Sequence, residues 1–140
     1  MKYALAIDGS SCSLRATEFL IGLIEGRVAA EVHVLNVQEP LRYFDALSEE
    51  KQQLVEHRDR ERGKRETTEA CDMLARAKVP CQLHVIAGDP ASGIVKLARD
   101  LHCDLIVMGT RGMGTITGLV LGSVATKVVH LSDMPVTLVK

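Results

Sequence analysis

Four glycine and serine positions in the last third of the chain have the spacing of an anion-binding segment. Two residues lie between Gly109 and Gly112, and nine residues lie between Gly112 and the pair Gly122-Ser123. Glycine lacks a Cβ, so its main-chain N–H can approach an anion closely and the residue can adopt positive φ. The first amides of a helix are unpaired, and the helix dipole favours negative charge there. The spacing therefore predicts a cradle of main-chain amides between residues 108 and 124 that binds phosphate groups.

Two side chains in this segment extend the prediction. The Ser123 hydroxyl can cap the helix or donate to a phosphate oxygen, and Arg111 offers a fork of N–H donors to the same space. No Gly-Lys-Ser/Thr follows, so the segment is not a Walker A loop. The alternative is that these glycines serve only turns and a helix cap, but the complete spacing after an apolar run favours phosphate binding.

Asp8 and the serines after it form a second candidate group. The turn reads Asp8-Gly9-Ser10-Ser11, which is not the dinucleotide-binding G-x-G-x-x-G pattern. A phosphoacceptor or metal-ligand role is disfavoured because no second acidic residue adjoins Asp8. We expect Asp8 to hydrogen-bond a ligand, with a structural turn cap as the alternative. The serines are expected to cap a helix, since the aromatic residues that a flavin site needs are scarce.

Cysteine and histidine patterns predict no catalytic residue and no metal site. Cys12 lacks the arginine six positions later that a phosphatase nucleophile needs, because Glu18 stands there. None of the four cysteines forms a C-x-x-C pair, and the five histidines show no zinc-ligand spacing. We expect reduced, mostly buried thiols and structural or surface histidines.

Five apolar runs alternate with four amphipathic segments, and these elements must position the candidate residues. Strands are predicted at residues 3–7, 32–37, 81–87, 105–108 and 136–139, and helices at 13–25, 48–78, 92–101 and 122–131. Alternating strands and helices predict a parallel sheet with helices on both faces. In such a sheet a ligand lies beyond the carboxyl ends of the strands, where the strand order reverses. The inward side chains are expected to include Ala16, Phe19, Leu20 and Leu23 of the first helix and Val124, Val128 and Leu131 of the last.

Three other segments carry predictions of their own. Residues 49–69 hold seven acidic and six basic residues, which predicts a solvated helix face with ion pairs, and Gly63 within it suggests a kink. Residues 38–47 are predicted to form a surface loop. The apolar segment 115–121 is predicted either to cover a bound ligand or to contact a partner subunit.

Composition limits the class of protein. The chain has 140 residues, which fits one domain over 1–140. The net charge of −1 and the aromatic content of 3% disfavour a nucleic-acid partner, because neither a positive field nor a base-stacking platform is available. No apolar stretch reaches the length of a membrane span, and the expected location is the cytoplasm.

The glycine pattern and the strands together resemble the universal stress protein family. The family's nucleotide-binding members carry G-x-x-G-x9-G-(S/T), which Gly109, Gly112, Gly122 and Ser123 match without gaps. The first, third, fourth and last strands also resemble the family's, in residues 4–10, 84–91, 103–109 and 134–139, and the likeness covers essentially all 140 residues.

This resemblance implies a doubly wound five-stranded parallel sheet of the Rossmann-like, adenine nucleotide alpha hydrolase-like type, with strand order 3-2-1-4-5. It also implies a homodimer paired through the last strand, Pro135–Val139, and ATP, with Mg²⁺, between the ends of strands one and four. The residues that it assigns to the ligand are Asp8 near the adenine or ribose, the main chain of Ala6 and Val37 at the adenine, Met108, Gly109, Arg111 and Gly112 around the ribose and phosphates, and Gly122, Ser123, Val124 and Ala125 at the phosphates. Ala125 stands where some ATP-binding relatives offer a second hydroxyl, so one phosphate contact is missing.

The resemblance implies a nucleotide-responsive regulatory dimer of the stress response. A dimeric interaction module without nucleotide and a slow ATPase are the alternatives. We expect at most weak ATP hydrolysis, because the sequence offers no identifiable water-activating base and no dedicated acidic magnesium ligand beside the phosphates.

Overall fold

The computed structural model describes residues 1–26, 29–112 and 121–140. Within these ranges, five strands alternate with four helices. They are β1 (Lys2–Ala6), α1 (Ser11–Ile24), β2 (Glu31–Gln38), α2 (Glu49–Arg76), β3 (Cys81–Ala87), α3 (Pro90–Asp100), β4 (Leu105–Gly109), α4 (Ser123–Leu131) and β5 (Val136–Val139), with a 3-10 turn at Phe44–Ala46 before α2. No helix in these ranges is long and apolar enough to span a membrane.

All strand pairs are parallel, and the order across the sheet is β3-β2-β1-β4-β5. The predicted fold class is therefore confirmed. Ala6 pairs with Leu35 of β2 on one side and with Met108 of β4 on the other. This register brings the carboxyl ends of β1, β2 and β4 together at one edge, where the order reverses between β1 and β4.

The two faces of the sheet form two apolar cores. One face packs against α3 and α4 through residues such as Leu35, Ile94 and Ile106, and the other packs against α1 and α2 through residues such as Leu5 and Leu20. Because both faces are covered, the central strands consist of nearly continuous apolar residues. Burying one leucine of this kind contributes about 1.5–3 kcal/mol.

Two expected core side chains lie at the surface instead. The inward stripe of α1 follows Ala16, Leu20 and Ile24, which leaves Phe19 43% exposed. Leu131 is the last residue of α4 and is 41% exposed. The helical period predicts both side chains in the core. On each helix, however, the stripe of residues that packs against the sheet is narrower than the stripe of apolar residues.

Gly63 allows α2 to approach the sheet closely. The helix is assigned as one element from Glu49 to Arg76, and Gly63 is buried within it. A Cβ on Gly63 would lie 2.4 Å from Val85 Cγ1 and 2.6 Å from Asn36 Oδ1. The absence of a side chain, rather than a break in the helix, explains this glycine.

Candidate ligand-binding site

A cavity of about 300 Å³ lies at the carboxyl ends of the central strands, where the strand order reverses. Its volume is at the lower end of the range for small-molecule sites. The wall contains every residue that the sequence assigned to a ligand: Ala6, Asp8, Val37, Met108, Gly109, Arg111, Gly112, Gly122, Ser123, Val124 and Ala125. It also contains Thr110, which lies within the segment 108–112 expected around the ribose and phosphates, and Ser13, which was expected to serve the helix start. Four further lining residues were not predicted at a ligand: Ile7, Leu35, Pro90 and Ile94.

The amide cradle is smaller than the sequence predicted. The Gly122 amide donates to the Thr110 carbonyl at 2.7 Å, and the Thr110 amide donates to the Val139 carbonyl at 2.8 Å, so both donors are used within the protein. Among the described glycines, positive φ occurs at Gly9, Gly26 and Gly88 and not at Gly109, Gly112 or Gly122. The glycines of the motif therefore act through close approach and not through left-handed backbone.

The beginning of α4 supplies the remaining main-chain donors. Gly122 is the N-cap and has no side chain with which to cap the helix. The first intrahelical bond runs from the Thr126 amide to the Gly122 carbonyl at 2.9 Å. The amides of Ser123, Val124 and Ala125 precede that bond and lie at the positive end of the helix dipole.

Close packing explains the positions of Gly109 and Gly122. A Cβ on Gly109 would lie 2.7 Å from Cys12 Cβ and 2.8 Å from the Cys12 carbonyl carbon, and one on Gly122 would lie 3.1 Å from the Thr110 carbonyl oxygen. Gly109 therefore lets α1 pack against the end of β4. Gly122 lets α4 begin beside the loop that follows β4, so these two glycines position the wall of the cavity.

Asp8 lies on the wall and also closes a local turn. Its Oδ1 accepts a hydrogen bond from the Ser10 amide at 2.9 Å, and a Cβ on Gly112 would lie 2.7 Å from its Oδ2. Ser10 caps α1 by accepting from the Ser13 amide at 3.2 Å, as predicted, and its hydroxyl donates to the Arg111 carbonyl at 3.4 Å. These contacts join the end of β1, the start of α1 and the loop after β4.

The wall is mostly apolar and carries one charge of each sign among the described residues, on Asp8 and Arg111. Its lining includes the side chains of Leu35, Val37 and Ile94 and also the beginning of α4. This arrangement suits a ligand with an apolar, flat moiety and an anionic group. Within residues 1–26, 29–112 and 121–140, no cluster of three histidine, cysteine or acidic residues could hold a metal ion.

Asp89 and Lys127 form a bridge beside the cavity that the sequence analysis missed. Asp89 caps α3 by accepting from the Ser92 amide at 2.9 Å, and its other oxygen is 2.9 Å from Lys127 Nζ on α4. The Ser92 amide, followed by the Lys127 ammonium, lowers the pKa of Asp89 to about 2. The bridge links the N-cap of α3 to the middle of α4.

His33 and His84 are in contact, which no local pattern in the sequence predicts. The distance from His33 Nδ1 to His84 Nε2 is 3.1 Å. Glu31 Oε1 lies 3.1 Å from His33 Nε2, but at an angle that does not suit a hydrogen bond, so Nε2 has no partner among the described residues. Burial, and then the proximity of His33, lower the pKa of His84 below its usual value.

The cysteines lie as expected for reduced thiols, and most of the apolar segment 115–121 is not described. The described structure contains no disulfide; Cys12 and Cys103 are buried, and Cys71 and Cys81 are half-buried. Residues 113–120, which include most of the apolar segment, lie outside the described residues.

Sequence comparison matches the universal stress protein family over residues 1–140. A universal stress protein of Methanocaldococcus jannaschii is 30% identical over 139 residues, which cover 99% of this chain and 81% of that protein. One from Thermus aquaticus is 35% identical over 137 residues, 97% of this chain and 96% of that protein.

Solved structures give the same result for the fold. A hypothetical protein of M. jannaschii superposes with a TM-score of 0.88 at 27% identity, covering 99% of this chain and 94% of that one. Three more distant structures have ligands: a universal stress protein with cAMP (TM-score 0.73, 24% identity), one from Archaeoglobus fulgidus with dAMP (0.70, 20%) and one from Arabidopsis thaliana with AMP (0.70, 18%). Each match covers 100% of this chain, together with 97% of the protein with cAMP, 98% of the one with dAMP and 91% of the one with AMP.

Proposed function

Because the chain belongs to the universal stress protein family, we propose that it binds an adenine nucleotide, ATP, in the cavity between β1 and β4. Occupancy of the cavity then alters a homodimer that acts as a regulator in the stress response. One observation carries this proposal: the cavity at the strand-order reversal is lined by apolar side chains and by Ser123, Val124 and Ala125, whose amides precede the first intrahelical bond of α4.

The residues divide between the two parts of the nucleotide. The main chain of Ala6 and Val37 faces the adenine, and Asp8 accepts a hydrogen bond from the adenine or the ribose. The amides of Ser123, Val124 and Ala125 donate to phosphate oxygens, and the positive end of the α4 dipole favours their negative charge. The Arg111 side chain, exposed at the mouth, adds a charged donor for the outer phosphates.

ATP fits these residues better than a nucleoside does, because the wall includes the beginning of α4 and the Arg111 side chain, both of which attract anionic groups. Mg²⁺ would neutralise charge on the phosphate chain when it is bound with ATP. The related structures with cAMP, dAMP and AMP support adenine nucleotides as the ligand class.

Hydrolysis is expected to be slow. A water-activating base must lie beside the terminal phosphate, and the Asp8 carboxylate is instead engaged by the Ser10 amide. Turnover well above that of an Asp8→Ala variant would contradict this expectation.

Calorimetric titration of the nucleotide-free protein tests the proposal. Bound nucleotide is first removed and identified by mass spectrometry, and ATP, AMP and cAMP are then titrated with and without magnesium. We expect saturable binding of ATP that is weakened by Gly112→Val, because the added side chain would occupy the space next to Asp8 Oδ2. The matched control is Gly22→Ala on α1, where an added Cβ would lie more than 4 Å from every neighbouring atom of the described residues. If the wild type shows no saturable binding of any of the three nucleotides, the proposal is wrong.

The homodimer is proposed to form through Pro135–Val139. β5 is an edge strand, and its Pro135 and Val139 carbonyls accept bonds from the β4 side. Since successive residues of a strand alternate in direction, the amides of Val136 and Leu138 point away from the sheet. An exposed edge of this kind can pair with the same edge of a second copy.

A further inference from the structure

A group of buried polar side chains lies behind the cavity, on the opposite face of β2. Asn36 is 1% exposed and Gln38 is 4% exposed, and both face Glu66 of α2. Buried amides are costly unless their hydrogen bonds are satisfied. Two buried amides beside a carboxylate therefore call for an explanation.

The hydrogen bonds of this group converge on Asn36. Its Nδ2 donates to Glu66 Oε2 and to the Ile7 carbonyl, both at 2.9 Å. Gln38 Nε2 donates to Asn36 Oδ1 at 2.6 Å and to Glu66 Oε2 at 2.8 Å. Hydrogen bonds thereby hold both the Nδ2 and the Oδ1 atom of Asn36, and the bonds to Glu66 fix the orientation of the amide group.

The bond from Asn36 to Ile7 replaces a rung of the sheet. The Ile7 amide still donates to the Leu35 carbonyl at 2.9 Å. In a continued parallel ladder the Val37 amide would donate to the Ile7 carbonyl next, but Asn36 Nδ2 occupies that carbonyl. The Val37 amide makes no hydrogen bond to Ile7, and Val37 lies on the cavity wall.

We propose that Asn36, held by Glu66, is a positioning residue that ends the β1–β2 ladder and keeps the Val37 amide available to the base of the bound nucleotide. The inference rests on the proposed nucleotide binding and assigns a role to residues that do not touch the ligand. It also makes α2 part of the site, because Glu66 belongs to that helix.

Packing of α2 against both strand ends supports this coupling. A Cβ on Gly63 would lie 2.6 Å from Asn36 Oδ1, and one on Gly9, directly after Asp8, would lie 3.4 Å from Glu66 Cβ. The helix therefore contacts the Asn36 amide and the turn that carries Asp8. A displacement of α2 would alter both at once.

Amide hydrogen exchange tests the strand geometry without any ligand. In the wild type we expect the Val37 amide to exchange at least about tenfold faster than the Leu35 amide, which lies within the ladder. In Asn36→Ala the Ile7 carbonyl loses its donor, and the Val37 amide is expected to replace it because a buried carbonyl is costly to leave unpaired. Its exchange should then slow toward that of Leu35. Equal protection of the two amides in the wild type would overturn the inference.

Calorimetric titration with adenosine, ATP and inorganic tripolyphosphate tests the role in binding. Asn36→Ala is expected to weaken adenosine and ATP by the same factor, about five- to tenfold for one lost hydrogen bond. Tripolyphosphate, which has no base, should bind as it does to the wild type. Glu66→Ala should show the same selective loss, and Glu66→Gln, which keeps an acceptor oxygen, should restore binding.

Leu74→Val provides the control for a merely structural effect. Leu74 is fully buried in the core under the same helix and is not on the cavity wall, so this variant should lower stability and leave all three affinities unchanged. An Asn36→Ala protein that binds adenosine like the wild type overturns the inference and leaves the proposed function intact. A wild type that binds neither adenosine nor ATP overturns both the inference and the proposed function. In that case the amide exchange rates still show whether Asn36 ends the β1–β2 ladder.

Discussion

Gly109→Ala is expected to lower mainly the stability of the protein, and Gly112→Ala mainly its affinity for ATP, although both change a glycine of one motif. At Gly109 the new methyl group would lie within 2.7–3.0 Å of three atoms of Cys12, two of them main-chain atoms of α1. The backbone of a packed helix cannot yield cheaply, and overpacking of this kind costs about 1–3 kcal/mol. For a chain of this size that corresponds to a fall in Tm of about 3 °C per kcal/mol.

At Gly112 the only atom of the described residues within 3 Å of the new methyl group is Asp8 Oδ2, which belongs to a side chain that can rotate. The rotation sacrifices the bond from the Ser10 amide, about 1 kcal/mol, and removes the carboxylate from its place on the wall. We therefore expect a small loss of stability and a loss of ATP affinity of about tenfold.

The pair is measured by calorimetric unfolding and by nucleotide titration of the same preparations. Gly109→Ala should lower Tm strongly, and its folded fraction should still bind ATP. A Gly112→Ala protein that loses as much stability as Gly109→Ala, or that keeps full affinity, would refute the assignment of one glycine to packing and the other to the ligand.

Three further predictions follow from packing, titration and the free strand edge. Gly63→Ala should destabilise the protein by about 1–3 kcal/mol in urea unfolding, because the clash with the sheet outweighs the gain of about 1 kcal/mol in helix propensity; a stabilised variant would contradict the packing argument. The lowered pKa of His84 means that the unfolded chain binds this proton more readily, so stability should fall as pH decreases from about 7 to 5. The fall should be smaller in His84→Gln and unchanged in the exposed control His57→Gln, and identical slopes in all three proteins would exclude His84 as the cause. Leu138→Pro removes an amide that points away from the sheet, so it should abolish the dimer in sedimentation experiments while the monomer remains folded. Thr137→Pro removes an amide that points toward β4 and should unfold the edge of the sheet. A dimeric Leu138→Pro protein would exclude pairing through β5.

The sequence determined the elements and the place of the candidate site. Strand periodicity predicted β3 and β5 with their observed bounds and the other strands to within one residue at each end, because a strand buried on both faces must be apolar throughout. The glycine spacing identified the loop after β4 and the start of α4, since both depend on residue types close together in the chain.

Tertiary structure alone decided which distant polar residues meet. Asn36 and Glu66 are 30 positions apart, and His33 and His84 are 51 apart. Their contacts depend on strand register and on the depth at which α2 packs, to which no local pattern is sensitive. The same holds for the cradle: the residue types predicted many free amides, but the fold uses those of Thr110 and Gly122 internally. A sequence specifies which groups can donate, and only the packed chain determines which donors remain for a ligand.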